Sequence, residues 1–283
     1  MPRRQNNKKD KVRPIKVDQI IEAKYNTENN DITLELPDIT TEDLPFVSVV
    51  TITKNRRSMF AIPLFNWSRI VYPEDRLEWI ILDDGEDDLS DIIPSGDKRI
   101  NYVRCEKMGV GEKRNHSVDL AKHDYIVHMD DDDFYFPHSL LAKIRVLLHY
   151  NKKCVYSHNL GVYDILSKTS AIMERYTDVP ELTMAYTKEF WESRKFGNAP
   201  YESYNMVRKR EKDIVKIPFW FNAIACTHDT NYTQRLKSIS ISSGTPRPAP
   251  PAESLFDPEF KTVLGRVSAR ILSSRGQDPY DRF

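Results

Sequence analysis

The stretch Tyr125–Pro137 reads Tyr-Ile-Val-His-Met, then four consecutive aspartates, then Phe-Tyr-Phe-Pro. A short apolar run that breaks into carboxylates is a buried strand delivering an acidic end to the rim of a sheet. Pro137, a good first-turn residue, then opens a helix. Four adjacent anions repel one another, so the rim calls for a cation. A divalent metal bridging to phosphate oxygens is one answer. A solvated acidic turn, or a helix N-terminus that favours negative charge, is the other.

The same grammar recurs along the chain. Phe46–Thr53 is continuous and β-branched, hence a buried strand, and releases Lys54-Asn55-Arg56-Arg57. Ser58 can cap a helix running to about Val71, with Pro63 bending it or delaying its start. Leu77–Leu82 is a second strand, ending in Asp83-Asp84-Gly85, and Arg99–Cys105 a third. Gly109-Val110-Gly111 turns into a helix from about Glu112 to Ala121, Tyr125–Met129 is the fourth strand, and a helix spans Pro137–Tyr150. Alternating strands and helices specify an α/β layered sheet with helices on both faces, whose ligands sit at the carboxyl ends of the strands. Further on, Val155–Ile165 and Ser170–Tyr176 read as short strands, and Thr183–Tyr186 as a strand leading into a helix. A charged helix is expected over about Glu202–Asp213, then strands at Ile214–Ile217 and Ala223–Thr227. Residues 1–44 read as a polar arm, disordered or loosely attached, and 238–283 as a Pro/Ser-rich linker followed, over 256–283, by one short helix or a tail. One domain over 45–237 is expected between them.

Composition narrows the function. Forty-two basic residues balance 42 acidic ones, so nothing points to nucleic acid. The three cysteines, Cys105, Cys154 and Cys226, have neither metal-knuckle nor disulfide-framework spacing, which favours a reducing compartment. No apolar stretch nears the ~20 residues that span a bilayer. The basic N-terminus has no apolar core behind it, so no secretory signal is expected and the chain reads as soluble and cytoplasmic. Peripheral membrane contact through the basic arm stays open.

Four motifs in order, Val-Ser-Val-Val-Thr-Ile-Thr-Lys-Asn-Arg, Glu-Trp-Ile-Ile-Leu-Asp-Asp-Gly, Gly-Glu-Lys-Arg-Asn and Tyr-Ile-Val-His-Met-Asp-Asp-Asp-Asp-Phe-Tyr, resemble the family 2 glycosyltransferases of the GT-A fold. The resemblance covers 46–140 well and the region to 235 more loosely. It implies a Rossmann-like, mostly parallel sheet. It also implies a metal-dependent, inverting transfer from a nucleoside diphosphate sugar, UDP-linked by preference, to an acceptor hydroxyl. Residues 45–140 would bind the donor and 141–237 the acceptor. Asp83 matches the carboxylate that accepts a uracil imide N–H, and Thr51 lies where backbone lines the base pocket. Thr53, Asn55 and Arg56 join them at the first strand end, and Arg114 matches a basic residue near the diphosphate. Asp130-x-Asp132 matches the Asp-x-Asp metal motif for Mn²⁺ or Mg²⁺. On a strand, i and i+2 face alike, so Asp131 would turn elsewhere, toward the ribose. Asp132 is the first choice of direct ligand, with His228 completing the shell or touching diphosphate. Glu202, in Pro-Tyr-Glu-Ser-Tyr, is the expected base, although it departs from the commoner Glu-Asp pair; Glu189 and Glu192 are rivals on a helix. His128 should face the core or the far side of the sheet.

Four other readings fit less well. An aspartyl phosphatase or mutase carries Asp-x-Asp near the start of its domain, not after two earlier strand ends. A sugar nucleotidyltransferase wants glycines in the loop after the first strand, where Lys54–Arg57 has only charge. A non-catalytic nucleotide-sugar-binding module would be expected to lose acidic positions that are all filled here. A processive synthase would need membrane helices and a Gln-x-x-Arg-Trp motif.

Overall fold

The computed structural model describes residues 24–26, 31–33, 36, 39–173, 179–198, 202–228, 247–248, 256 and 258–274. Continuous apolar runs become the inner strands of a seven-stranded sheet, because both of their faces must be covered. These inner strands are β1 (Val47–Thr53), β2 (Leu77–Asp83) and, after the half-exposed edge strand β3 (Ile100–Arg104), β4 (Tyr125–His128); all four are parallel, in the order β4-β1-β2-β3 with β3 at the sheet edge. Between them run α1 (Ala61–Ser68) and α2 (Val110–Asp119). Pro63 lies in the first turn of α1, where its missing N–H costs nothing, and the helix is capped at Phe60, two residues later than Ser58.

After the aspartates come β5 (Phe134–Tyr135), α3 (Ser139–His149), β6 (Cys154–Ser157), β7 (Leu160–Asp164) and β8 (Ser170–Met173). Then follow β9 (Ala185–Thr187), α4 (Lys188–Glu192), α5 (Tyr204–Val207), β10 (Ile214–Ile217) and β11 (Ala223–Thr227). The main sheet grows past β4 through antiparallel β9, then β6 and β10. A second sheet holds β8, β7, β11 and β5, with Arg247–Pro248 at its edge. Alternation sends Val49 and Ile81 to one face of the main sheet and Val50 and Ile80 to the other, each into its own apolar cluster. The three cysteines are free thiols.

One expectation is corrected. The charged helix over 202–213 is only the four residues of α5 followed by a turn, because Lys209 takes a positive φ of 58°. At the end of the arm, Leu36 and Ile39 pack on the core, Leu44 is buried, and Arg145 donates to the Leu36 carbonyl at 2.6 Å. Of the two readings of the C-terminal stretch, a short helix or a tail, the structure has the helix. Pro258–Ser274 forms α6, a 17-residue helix burying Phe260, Leu264, Val267 and Ile271 against α1 and Phe134. The Pro/Ser-rich expectation over 238–246 and 249–255 lies outside the described residues, as does most of residues 1–35. Among the described residues, no helix is long and apolar enough to cross a membrane.

Candidate active site

Parallel register brings the polar strand ends to one edge: Thr53 pairs with Asp83, and Asp83 with Arg104. Asp83 is fully buried. One carboxylate oxygen accepts from the Gly85 amide at 2.8 Å, the other from the Tyr102 hydroxyl at 2.8 Å and from Arg104 at 3.0 Å. Arg104 is more than a third exposed, so it is the partner most easily displaced by a ligand. The Thr51 side chain is taken up inside the fold, donating to the Met129 carbonyl at 2.6 Å and accepting from Trp79 at 2.8 Å. Asn55 adopts a left-handed φ of 53° and accepts the Glu86 amide at 2.7 Å, which joins the loops after β1 and β2. Lys113, one turn into α2, reaches back to Asp84 and to the Thr53 carbonyl at 3.0 Å, fixing the start of α2 on the same edge.

The four aspartates divide their work. Asp130 pairs with Arg114 at 3.2 Å, and its amide donates to the Tyr135 hydroxyl at 2.8 Å. Asp131 accepts from Thr53 at 2.6 Å. Burial raises its carboxyl to about 7, Asp132 and Asp130 adding to the effect and Arg56 and Thr53 opposing it. Asp133 is buried and accepts the Cys226 amide at 2.8 Å. That bond, with the pairing of β5 on β11, brings the end of β11 beside the aspartates. There His228 Nε2 lies 3.1 Å from an Asp132 oxygen and 3.2 Å from an Arg56 nitrogen.

The expected strand-like facing of Asp130 and Asp132 does not hold. β4 ends at His128, so the aspartates form a turn in which period-two alternation no longer operates. Asp130 is engaged by Arg114, while Asp132 meets His228. Among the described residues, no group of three or more His, Cys, Asp or Glu gathers to hold a metal. The Asp132–His228 pair nevertheless fits a divalent ion in part. One oxygen and one nitrogen about 3 Å apart is the spacing of neighbouring ligands around an ion with bonds of about 2.1 Å. Phosphate oxygens would have to supply the rest.

Arg114 does not stand open at the rim. It is buried, bonded to Asp130 and to His128 Nδ1 at 2.9 Å. Burial lowers its proton affinity, yet Asp130, Glu181 and Glu202 together raise it above the ordinary guanidinium value. His128 lies directly under the site, also meeting the Tyr186 hydroxyl at 2.9 Å; burial, then Arg114 and Lys143, hold it neutral. Glu202 is buried beside Gly111, and its carbonyl accepts the Gly197 amide at 2.8 Å. Burial raises its carboxyl and Glu181 raises it further, against the pull of Arg114. Glu189, by contrast, is an exposed partner of Lys153, and Glu192 is exposed. Tyr135, Lys113 and Glu181 are the contributors that motif reading did not single out. Lys113 lay within a quoted motif, whereas Glu181 meets the site only through a distant part of the chain.

The profile of "Glycosyl transferase family 2" matches residues 48–213. The chain is a family 2 glycosyltransferase. A search of curated protein sequences returns no match. Among solved structures, the fold is similar to the mannosyltransferase PcManGT from Pyrobaculum calidifontis in complex with GDP-Man and Mn²⁺. That match has a TM-score of 0.53 and 14% identity over 84% of this chain and 77% of the other. It is also similar to S. aureus TarS 1-349 in complex with UDP-GlcNAc, with a TM-score of 0.52 and 14% identity over 80% and 71%. A longer TarS chain is matched over only 37% of its length. These likenesses place the mixed α/β architecture of this glycosyltransferase among GT-A folds.

Proposed function

We propose that the glycosyltransferase is inverting and metal-dependent and takes a UDP-sugar as donor, with the nucleotide across the ends of β1 and β2. The observation that carries this reading is the convergence on one sheet edge of Asp83, the Asp132–His228 pair and the buried Glu202. The uracil imide N–H would donate to Asp83 in place of Arg104, with Thr51 contributing backbone and Asn55 shaping the loop. Arg56, beside Asp132, is placed to follow the diphosphate. Asp131, held by Thr53, would face the ribose. A Mn²⁺ or Mg²⁺ ion held by Asp132 and His228 would neutralise charge on the leaving diphosphate. Of the expected metal residues, Asp130 instead supports Arg114. TarS, bound to UDP-GlcNAc, favours a uridine nucleotide, and PcManGT, bound to GDP-Man and Mn²⁺, favours the metal. We also assign 45–140 to the donor and the following residues to the acceptor.

In the transfer step the acceptor oxygen bonds to the anomeric carbon as that carbon's bond to the diphosphate oxygen breaks. The diphosphate leaves with the electron pair, the hydroxyl proton passes to Glu202, and configuration inverts. A carboxylate whose proton affinity is raised by burial is a better base than an exposed one, provided that it stays ionised. Arg114, buried against it, opposes full protonation.

The test is thermal shift with UDP, GDP and their sugars, with and without Mn²⁺. A ligand at 100 times its Kd stabilises by about 2.7 kcal/mol, hence about 5–10 °C for a chain of this size. UDP should stabilise, and more so with Mn²⁺. Failure of every nucleotide overturns the donor reading, preference for GDP overturns the role of Asp83, and indifference to Mn²⁺ overturns the metal.

A further inference from the structure

Glu181 belongs to no motif, yet it meets the turn that carries the proposed base. It opens a single helical turn, Glu181–Thr183, just before β9. One of its carboxylate oxygens accepts from the Ser203 hydroxyl at 2.6 Å and from the Ser203 amide at 3.4 Å. The turn beneath it is rigid. Leu182 and Thr183 are buried, and the Thr183 carbonyl accepts from Asn222 at 2.8 Å. The Leu182 carbonyl accepts from the Tyr135 hydroxyl at 3.0 Å, the same hydroxyl that takes the Asp130 amide. One short turn is thus fastened both to the aspartate loop and to the residue after Glu202.

We propose that Glu181 is a positioning residue for transfer, fixing the Glu202–Ser203 turn against Arg114 through the Ser203 hydroxyl and amide. The proposal rests on Glu202 being the base. Two effects follow from the geometry. The first is mechanical: the two Ser203 bonds, with the Gly197–Glu202 bond, hold the Glu202 backbone on both sides. The second is electrostatic. The charged groups facing Glu202 are Glu181, Arg114 from α2 and Asp130 from the aspartate loop, so three carboxylates surround one guanidinium. Glu181 is the like charge with the largest effect on Glu202, and it strengthens Glu202 as a proton acceptor.

The experiment compares kcat–pH profiles of the full chain as wild type, Glu181→Gln, Ser203→Ala and Glu202→Gln at saturating donor. Glu181→Gln keeps an oxygen for Ser203 but removes the charge. Its acid limb should move to lower pH by about one unit, because Glu202 then loses its proton sooner. Ser203→Ala keeps the charge and removes the hydroxyl bond. Its limb should stay in place while kcat falls about tenfold, the scale of one lost hydrogen bond. An unmoved limb in Glu181→Gln together with wild-type kcat in Ser203→Ala would overturn the role of Glu181. Retained turnover in Glu202→Gln would instead remove the base assignment. An inactive Glu202→Gln with an unmoved Glu181→Gln limb confines the failure to Glu181.

Discussion

Gly111→Ala should disable transfer while sparing the donor site. A Cβ at Gly111 would lie 1.8 Å from the Gly197 carbonyl oxygen and 2.9 Å from its carbon, with Glu202 Cγ at 3.4 Å. The start of α2 cannot yield easily, since Lys113 ties it to Asp84 and the Thr53 carbonyl, and the Met108 amide bonds Asp84 at 3.2 Å. Gly197 must retreat instead. Reaching ordinary contact at 3.4 Å requires a shift of about 1.6 Å (3.4 minus 1.8) at the Gly197 oxygen. The Gly197–Glu202 bond passes that shift to Glu202, the proposed base. Overpacking of this kind costs about 1–3 kcal/mol, and misplacing a catalytic group by about 1 Å costs on the order of 100-fold in rate. Calorimetric titration with UDP and steady-state kinetics check both parts. The expected result is a UDP Kd within about threefold of wild type and a kcat lower by about two orders of magnitude. A variant with wild-type kcat would refute the packing of the base turn on α2.

Other perturbations separate the remaining elements. Asp132→Asn should keep the fold and lose the Mn²⁺-dependent part of the UDP thermal shift, since a neutral amide is a poor ligand for a hard cation; an unchanged Mn²⁺ effect would move the metal elsewhere. Lys143 is buried, donates to Asn222 at 3.1 Å, and is lowered by burial to about 7. The unfolded chain keeps that proton to about pH 10.4, so between about pH 7 and 10 it binds more protons than the folded chain, and stability rises with pH by up to about 5 kcal/mol. Denaturant titrations of Lys143→Met should show a flatter pH dependence over that range; an unchanged slope would refute the buried ammonium. Phe260→Ala should cost about 3–5 kcal/mol, because the ring is fully buried against Phe134 at 4.5 Å. An unchanged Tm would mean that α6 is dispensable.

The parallel strands of the main sheet were legible because their physics is local. Parallel strands buried on both faces must be unbroken apolar runs, so Val47–Thr53 and Leu77–Asp83 announce themselves, and their polar ends mark the sheet edge. What the chain does across distance was harder to read. Strand logic fails at Asp130–Asp133 because the strand stops two residues earlier, and which carboxylate meets which partner depends on β5 pairing with β11, some 90 residues on. Glu181 looks like an ordinary acid before a strand until Ser203 folds onto it. The α6 helix did leave a signal in Phe260, Leu264, Val267 and Ile271, spaced 4, 3 and 4 residues apart as a buried helical stripe requires. A stripe that short is compatible with one helix or with a tail until Phe134 and α1 supply its partner.

The central claim is that Glu202 removes the acceptor proton beside a donor held at the strand ends. Single-turnover transfer by Glu202→Gln, measured alongside its UDP-sugar Kd, tests it most directly. The account predicts a wild-type Kd with transfer slowed by at least about 100-fold, the contribution of a positioned general base. Wild-type transfer with the same Kd would contradict it.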